Sequence, residues 1–332
     1  MTVKNISIIG AGAWGTALAI VAANNGHRVS LLARDKNQVQ HINNTKFNEH
    51  YLPGVKLNQQ ITASVSANTI RQADYILIST PTQHIRTTLT GIKNHWPHGA
   101  PAVICAKGIE QTTGQRPSQI TQDVLDDVPI AILSGPSFAI EVAKGQPTAI
   151  TLASSNQNIS GHLTQLLGNS HFRIYQSNDV TGAEIGGAVK NVIAIACGIT
   201  HGRKLGDNAR AALITRGLAE ISRLAESLGG RAETLRGLSG LGDLLLTCTA
   251  IQSRNFSLGV ELGQGQNLND ILGRRITVAE GVYTAQSVTN LAASQNIEMP
   301  ICQAVRDILY QHADIGDTIE HLLSRPQRLE TE

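Results

Sequence analysis

Aromatic side chains make up only 3% of the 332 residues, too few to line a stacking groove for single-stranded nucleic acid. Charge is sparse and balanced. With 27 Lys and Arg against 25 Asp and Glu, the net charge is +2, and no basic block offers a nucleic-acid footprint. The four cysteines, Cys105, Cys197, Cys248 and Cys302, are too far apart in sequence for a zinc site or a Cys-x-x-Cys redox pair. No metal is expected, and the thiols are expected to stay reduced in a cytoplasm. No apolar run reaches the roughly 18 residues a membrane helix needs, and the N-terminus enters a strand without a charged-then-apolar leader. Neither export nor membrane anchoring is expected. What remains is ordinary globular material: 41% hydrophobic residues over this length suffice for two domains with real cores.

The strongest local signal lies at the start. Ile6 to Ile9 reads as a buried strand, Gly10-Ala11-Gly12-Ala13-Trp14-Gly15 follows, Thr16 to Asn25 is helical and ends near Gly26, and Arg28 to Ala33 is a second strand. In this frame G-x-G-x-x-G is a dinucleotide turn: Gly10 makes the bend, Gly12 admits the pyrophosphate, and Gly15 packs helix on strand. An empty doubly wound sheet is the plainer alternative. Where an NAD-specific site would carry an acid for the ribose, the chain has Ala33-Arg34 and then Asp35. Arg34 can face a 2′-phosphate, while Asp35 suits the cap of a helix from Lys36 to Ile42. Should Arg34 be solvated or stacked on adenine, NADH would serve too, so NADP and NAD are both expected, with a lean to NADP.

Strands predicted at Thr62 to Val65, Tyr75 to Ser79, Ala102 to Ala106, Ile130 to Leu133, Thr148 to Ala153 and Phe172 to Tyr175 alternate with helical stretches. Asn44 to Leu57 reads as loop. The alternation predicts an α/β fold, a Rossmann-type doubly wound and mostly parallel sheet over residues 1–180. After residue 181 the strands stop, and amphipathic stretches predict an all-helical domain over 181–332. Three strand ends are polar or glycine-rich: Ser79-Thr80-Pro81-Thr82, Lys107-Gly108, and Ser134 to Ala139. Ligands in such sheets lie beyond those carboxyl ends.

Thr181 to Thr200 joins the halves. Thr181 with Glu184 has the spacing of a capping box, and Ile185, Val189, Val192, Ile193 and Ala196 form an apolar stripe. Lys190 lies off that stripe among small residues, Gly186, Gly187, Ala194 and Cys197, which leave room for a ligand or another backbone. Such a lysine either snorkels to water or, with its pKa lowered, donates a proton to a ketone being reduced. Asp243 follows a glycine-rich approach and either orients that ammonium or a substrate hydroxyl, or caps the helix before Leu244. Ser253-Arg254-Asn255 gathers donors suited to a phosphate dianion, or merely starts a helix.

Taken in order, Gly10 to Gly15, Lys107-Gly108, Leu133 to Ala139, Gly186 to Asn191, Gly240 to Leu244, Ser253 to Asn255 and Ala279-Glu280-Gly281 resemble the bacterial-type NAD(P)-dependent glycerol-3-phosphate dehydrogenases. The resemblance spans nearly the whole chain. It implies interconversion of dihydroxyacetone phosphate and sn-glycerol 3-phosphate, feeding phospholipid synthesis, and a homodimer. It makes Lys190 the general acid/base and gives Lys107 contact with both substrate and cofactor. Asp243 holds the reacting end, Ser253, Arg254 and Asn255 bind substrate and its phosphate, and Gly135 and Ser137 line the same pocket. Cofactor contacts fall on Gly10, Gly12, Ala13, Trp14, Gly15, Arg34, Ala139, Arg254, Val278 and Glu280. Ala13 departs from a common serine. Two rivals stand beside this reading: a 3-hydroxyacid or 6-phosphogluconate type dehydrogenase with a lysine on the interdomain helix, and a non-catalytic redox sensor that binds NADPH and a partner.

Overall fold

A computed structural model describes residues 2–275, 279–326 and 329. The first half holds ten strands: β1 (Asn5–Ile9), β2 (Arg28–Leu32), β3 (Phe47–Asn48), β4 (Leu52–Lys56), β5 (Ile61–Ser64), β6 (Tyr75–Ile78), β7 (Ala102–Ile104), β8 (Ile130–Ser134), β9 (Thr148–Ala153) and β10 (Phe172–Ser177). Among them run α1 (Ala13–Asn24), α2 (Lys36–Thr45), α3 (Ile85–Ile92), α4 (Pro117–Leu125), α5 (Ala139–Ala143) and α6 (Gln157–Leu167). Eight strands form one sheet in the order β10-β9-β8-β7-β6-β1-β2-β5. Every neighbouring pair is parallel except β8 with β9. The order reverses between β1 and β6, which opens a crevice at their carboxyl ends. Both faces are covered: Ile76, Ile78 and Ile104 join one core and Leu77 and Val103 the other, the period-2 alternation of a doubly packed sheet.

The segment expected to be loop, Asn44 to Leu57, is instead the end of α2 and the small antiparallel β3–β4 pair. Its reason is Asn48, buried, whose amide donates to the Ala11 carbonyl at 2.9 Å and to Thr16 Oγ1 at 2.7 Å. A polar residue with inward partners anchors this otherwise loop-like stretch against the glycine turn.

The second half is helical: α7 (Val180–Gly202), α8 (Asp207–Ser227), α9 (Ala232–Leu235), α10 (Asp243–Thr249), α11 (Arg254–Gly263), α12 (Leu268–Arg274), α13 (Glu280–Ser294), α14 (Pro300–Tyr310) and α15 (Ile315–Leu323). The capping box expected at Thr181 does not form. Asp179 is the N-cap, accepting from Gly182 N at 2.8 Å, and Glu184 instead accepts from Ser118 N and Oγ at 2.8 and 2.6 Å, tying α7 to α4. Helix α7 is buried from Gly182 to Thr200 on all faces. With 23 residues and a mean hydropathy of 1.3 it is also long and apolar enough to cross a membrane, contrary to the sequence expectation, but 94% of that window is inside the protein.

Helices α7 and α11 meet main chain to main chain. A Cβ on Gly198, Gly202, Gly259 or Gly263 would lie 2.1, 2.4, 2.2 and 2.5 Å from Phe256 O, Val260 O, Ile195 O and Ile199 O respectively. Those four missing side chains are what permit the approach. All four cysteines are free and buried.

Candidate active site

The site begins at the switch point of the sheet. Gly10 has φ +106°, and a Cβ there would press on Ser79 at 3.0 Å; one on Gly15 would sit 2.0 Å from Gly10 O. Around Gly12 a Cβ would meet nothing within 4 Å. Open space above a helix N-terminus whose cap supplies no side chain is where a pyrophosphate can accept free amides. Gln38 and Asn48 both donate to the Ala11 carbonyl and so fix the turn from below. Trp14 Nε1, Thr80 Oγ1, Thr82 Oγ1, Ser134 Oγ and Glu280 Oε2 are buried without partners, an unusual density of unmet polar atoms along one edge. The chain fits a dinucleotide. Arg34 is exposed at the end of β2, and Asp35 caps α2 by accepting from Asn37 N at 2.8 Å, as its position predicted.

Three elements converge on a buried ionic cluster beyond that edge. Lys107 follows β7, Lys190 stands in α7, and Asp243 opens α10 after a tight turn over Leu238–Gly242. Lys107 Nζ lies 2.7 Å from Asp243 Oδ2, and Lys190 Nζ 2.5 Å from Asp243 Oδ1. Lys190 also donates to Thr247 Oγ1 at 2.9 Å, and Lys107 to Gly135 O at 3.1 Å. The small residues beside Lys190 serve this meeting: Gly187 lies where a Cβ would be 3.3 Å from the Lys107 stem, and Gly186 backs onto Ser239 O. Lys190 does not snorkel; it is 7% exposed. Asp243 is not a cap either, because Gly242 holds that position and the carboxylate is spent on two ammoniums.

Burial above all, and then the Lys107 charge, pull the Lys190 pKa down to about 8 against the opposing pull of Asp243. An amine in that range exchanges a proton near neutral pH. On the facing side, burial raises the Glu280 carboxyl to about 7. Its Oε1 accepts from Thr82 N at 3.3 Å, which brings the first turn of α13 against the dinucleotide crevice.

Of Ser253-Arg254-Asn255, two members have structural work. Ser253 is the N-cap of α11, accepting from Phe256 N at 3.3 Å. Asn255 donates to Asn191 Oδ1 and accepts from Gly281 N, both at 2.9 Å, so that it joins α7, α11 and α13. Asn255, the neighbour of Arg254 in sequence, thus meets the residue that follows Lys190. Arg254 is exposed at the start of α11 and electrostatically faces Glu280. Gly135, at φ +141°, brings its carbonyl to both Lys107 and Ser137 Oγ, and Ala139 begins α5 directly after. Val278 lies outside the described residues.

Two family models match in tandem: the N-terminal part of NAD-dependent glycerol-3-phosphate dehydrogenase over residues 5–160 and its C-terminal part over 179–320. The chain belongs to the NAD-dependent glycerol-3-phosphate dehydrogenase family. A glycerol-3-phosphate dehydrogenase (NAD(P)+) of Rhodospirillum rubrum is 54% identical over 99% of this chain and 94% of that one. One from Parvibaculum lavamentivorans is 49% identical over 99% and 98%. The crystal structure of glycerol-3-phosphate dehydrogenase from Coxiella burnetii superposes with a TM-score of 0.94 at 39% identity, covering 97% of this chain and 99% of that chain.

Membership in the glycerol-3-phosphate dehydrogenase family makes the protein an NAD(P)-dependent oxidoreductase and removes the non-catalytic sensor. A D-mandelate dehydrogenase shares only the fold, at a TM-score of 0.64 and 13% identity. Sequence reasoning missed Thr247, although it stands four residues after Asp243 on one helix face. It also missed Asn48 and Gln38, which no spacing rule singles out.

Proposed function

We propose that Lys190 is the proton donor as this member of the glycerol-3-phosphate dehydrogenase family reduces dihydroxyacetone phosphate reversibly to sn-glycerol 3-phosphate with NADPH or NADH. The observation that carries the reading is the Lys107–Asp243–Lys190 cluster, with Asp243 and Lys190 buried and Lys107 half-buried, at the mouth of the dinucleotide crevice. The nicotinamide, when bound, supplies or takes back the hydride. Gly10, Gly12, Ala13, Trp14 and Gly15 would hold the pyrophosphate of the dinucleotide, Arg34 would meet a ribose 2′-phosphate, and Ala139 and Glu280 would contact the remainder.

The ketone oxygen sits between the two ammoniums. Lys107 stabilises the charge that develops on it, and Lys190 releases its proton to it. Charge bookkeeping favours this order: once Lys190 is neutral, Lys107 and Asp243 remain as a balanced pair, so no lone carboxylate is left buried. Thr247 holds the Lys190 amine in line. Arg254 binds the phosphate of the substrate, with Ser253 and Asn255 framing it and Gly135 and Ser137 forming the opposite wall. In the reverse direction neutral Lys190 accepts the alcohol proton.

The division into units at residues 1–180 and 181–332, a homodimer, a cytoplasmic location and supply of glycerol 3-phosphate to phospholipid synthesis complete the proposal. They rest on the family resemblance and on a longest apolar helix that is internal. The decisive assay follows NADPH and NADH oxidation with dihydroxyacetone phosphate, using glyceraldehyde 3-phosphate as control. Activity with the ketone alone, lost in Lys190→Ala, is expected; a Lys190→Ala enzyme with near-normal turnover removes Lys190 from the chemistry.

A further inference from the structure

The turn that delivers Lys107 is held by contacts from both halves of the protein, and none of these belongs to the residues assigned above. Ile109, two residues beyond Lys107, is fully buried, with its side chain in the core of the helical half. Its carbonyl accepts from Gln83 Nε2 at 2.8 Å and from Ser287 Oγ at 3.0 Å. Gln83 stands in the short turn after β6, and its other end, Oε1, accepts from Gln111 N at 3.0 Å. One amide thus splints residues 109 and 111 on both sides of Glu110. Gln111 Nε2 reaches Gln286 Oε1 at 3.0 Å and Tyr310 Oη at 3.2 Å, and Tyr310 donates to Val282 O. The Ser287 hydroxyl has a second acceptor in its own helix, Tyr283 O at 3.2 Å, so Gln83 is the firmer of the two donors.

We propose that Gln83 is a positioning residue for the reaction: it braces the 107–111 turn so that the Lys107 ammonium lands on Asp243, with Ser287 and Gln111 completing the brace across to α13. The inference rests on the roles given to Lys107 and Lys190 under the proposed function. Its physical basis is that a buried carbonyl deprived of its best donor shifts to find another. A displacement of the order of 1 Å in a charge-stabilising group is costly to catalysis. Gln83 touches neither reacting atom; it acts through Lys107.

The test uses the full-length enzyme and a readout that general destabilisation does not move. Lys190 is faced by Asp243, Thr247 and Cys248 from α10 and by Lys107 from the β7 turn. Withdrawing Lys107 removes a cationic neighbour that depresses its pKa. The alkaline limb of ketone reduction should therefore move to higher pH. Three variants are profiled with dihydroxyacetone phosphate and saturating NADPH: Lys107→Met as the reference, Gln83→Met, and Ser287→Ala. Expected are an upward displacement in Lys107→Met, the same direction in Gln83→Met with kcat/KM lowered about tenfold, and a smaller displacement in Ser287→Ala. Should Gln83→Met fail to fold, Ser287→Ala decides alone. A displaced limb in Lys107→Met with wild-type limbs in the folded brace variants overturns the inference and leaves the site intact. An undisplaced limb in Lys107→Met overturns the site reading and the inference together.

Discussion

Replacing Asp243 by Asn keeps the shape of the cluster and removes its only negative charge. Asp243 is the group that holds the Lys190 pKa up; burial and Lys107 both push it down, and the balance sits at about 8. Without the carboxylate those two effects act unopposed, so the ammonium loses its proton more easily. A single close charge in a buried site is worth about two pKa units, or ~2.7 kcal/mol. At pH 8 the protonated fraction of Lys190 then drops from about a half to about one part in a hundred, so ketone reduction at that pH slows some fiftyfold through protonation alone. The assay is the pH dependence of kcat for dihydroxyacetone phosphate reduction in Asp243→Asn, with urea unfolding as a control for integrity. The alkaline limb should move to lower pH. A limb that stays in place or moves upward, in a folded protein that still turns over, refutes the argument that Asp243 sustains the charge on Lys190.

In the unmodified enzyme the same value gives opposite limbs in the two directions: ketone reduction needs protonated Lys190 and should fall as pH rises through about 8, whereas alcohol oxidation needs the neutral amine and should fall as pH drops through it. Stopped-flow measurement of both directions checks the crossing. Arg34→Ala should raise the NADPH dissociation constant about tenfold, the scale of one charge-assisted contact, while NADH binding stays within a factor of two by cofactor fluorescence. Gly15→Ala places a methyl 2.0 Å from Gly10 O. It should cost ~1–3 kcal/mol in urea unfolding and weaken both cofactors alike. Glu184→Ala strips Ser118 N and Oγ of their acceptor inside the α4–α7 contact. A loss of roughly 1–3 kcal/mol of stability is expected, with kcat for the folded fraction little changed.

The dinucleotide turn was legible in the sequence because its requirements are local: Gly10, Gly12 and Gly15 act within six residues of chain, and strand and helix flank them. The inner strands β6, β7 and β8 were legible because each is buried on both faces and reads as a nearly continuous apolar run, whereas β2, β5 and β10 show buried and more exposed positions in alternation. Lys190 and Asp243 carried a weaker signal. Nothing in either segment fixes 53 residues of separation into a 2.5 Å contact; that Asp243 could orient the Lys190 ammonium stood only as one alternative beside a helix cap. What stayed hidden is what long-range partners decide. Glu184 has the spacing of a cap and is instead claimed by Ser118, while Asn48 looks like loop material and is instead claimed by the glycine turn. Asn255 resembles a ligand donor, and its amide is tied to Asn191 and Gly281. A polar side chain advertises its type along the chain but not its addressee.

The bare-glycine crossing of α7 and α11 has a mechanical corollary. With peptide planes pressed directly together at four places, neither helix can slide or roll against the other without collision, and so Lys190 and Arg254 share one stiff anvil. The Lys107 turn is fastened to the same frame, with Ile109 set in the helical core and Ser287 of α13 meeting its carbonyl, so the three charged side chains keep one fixed spacing.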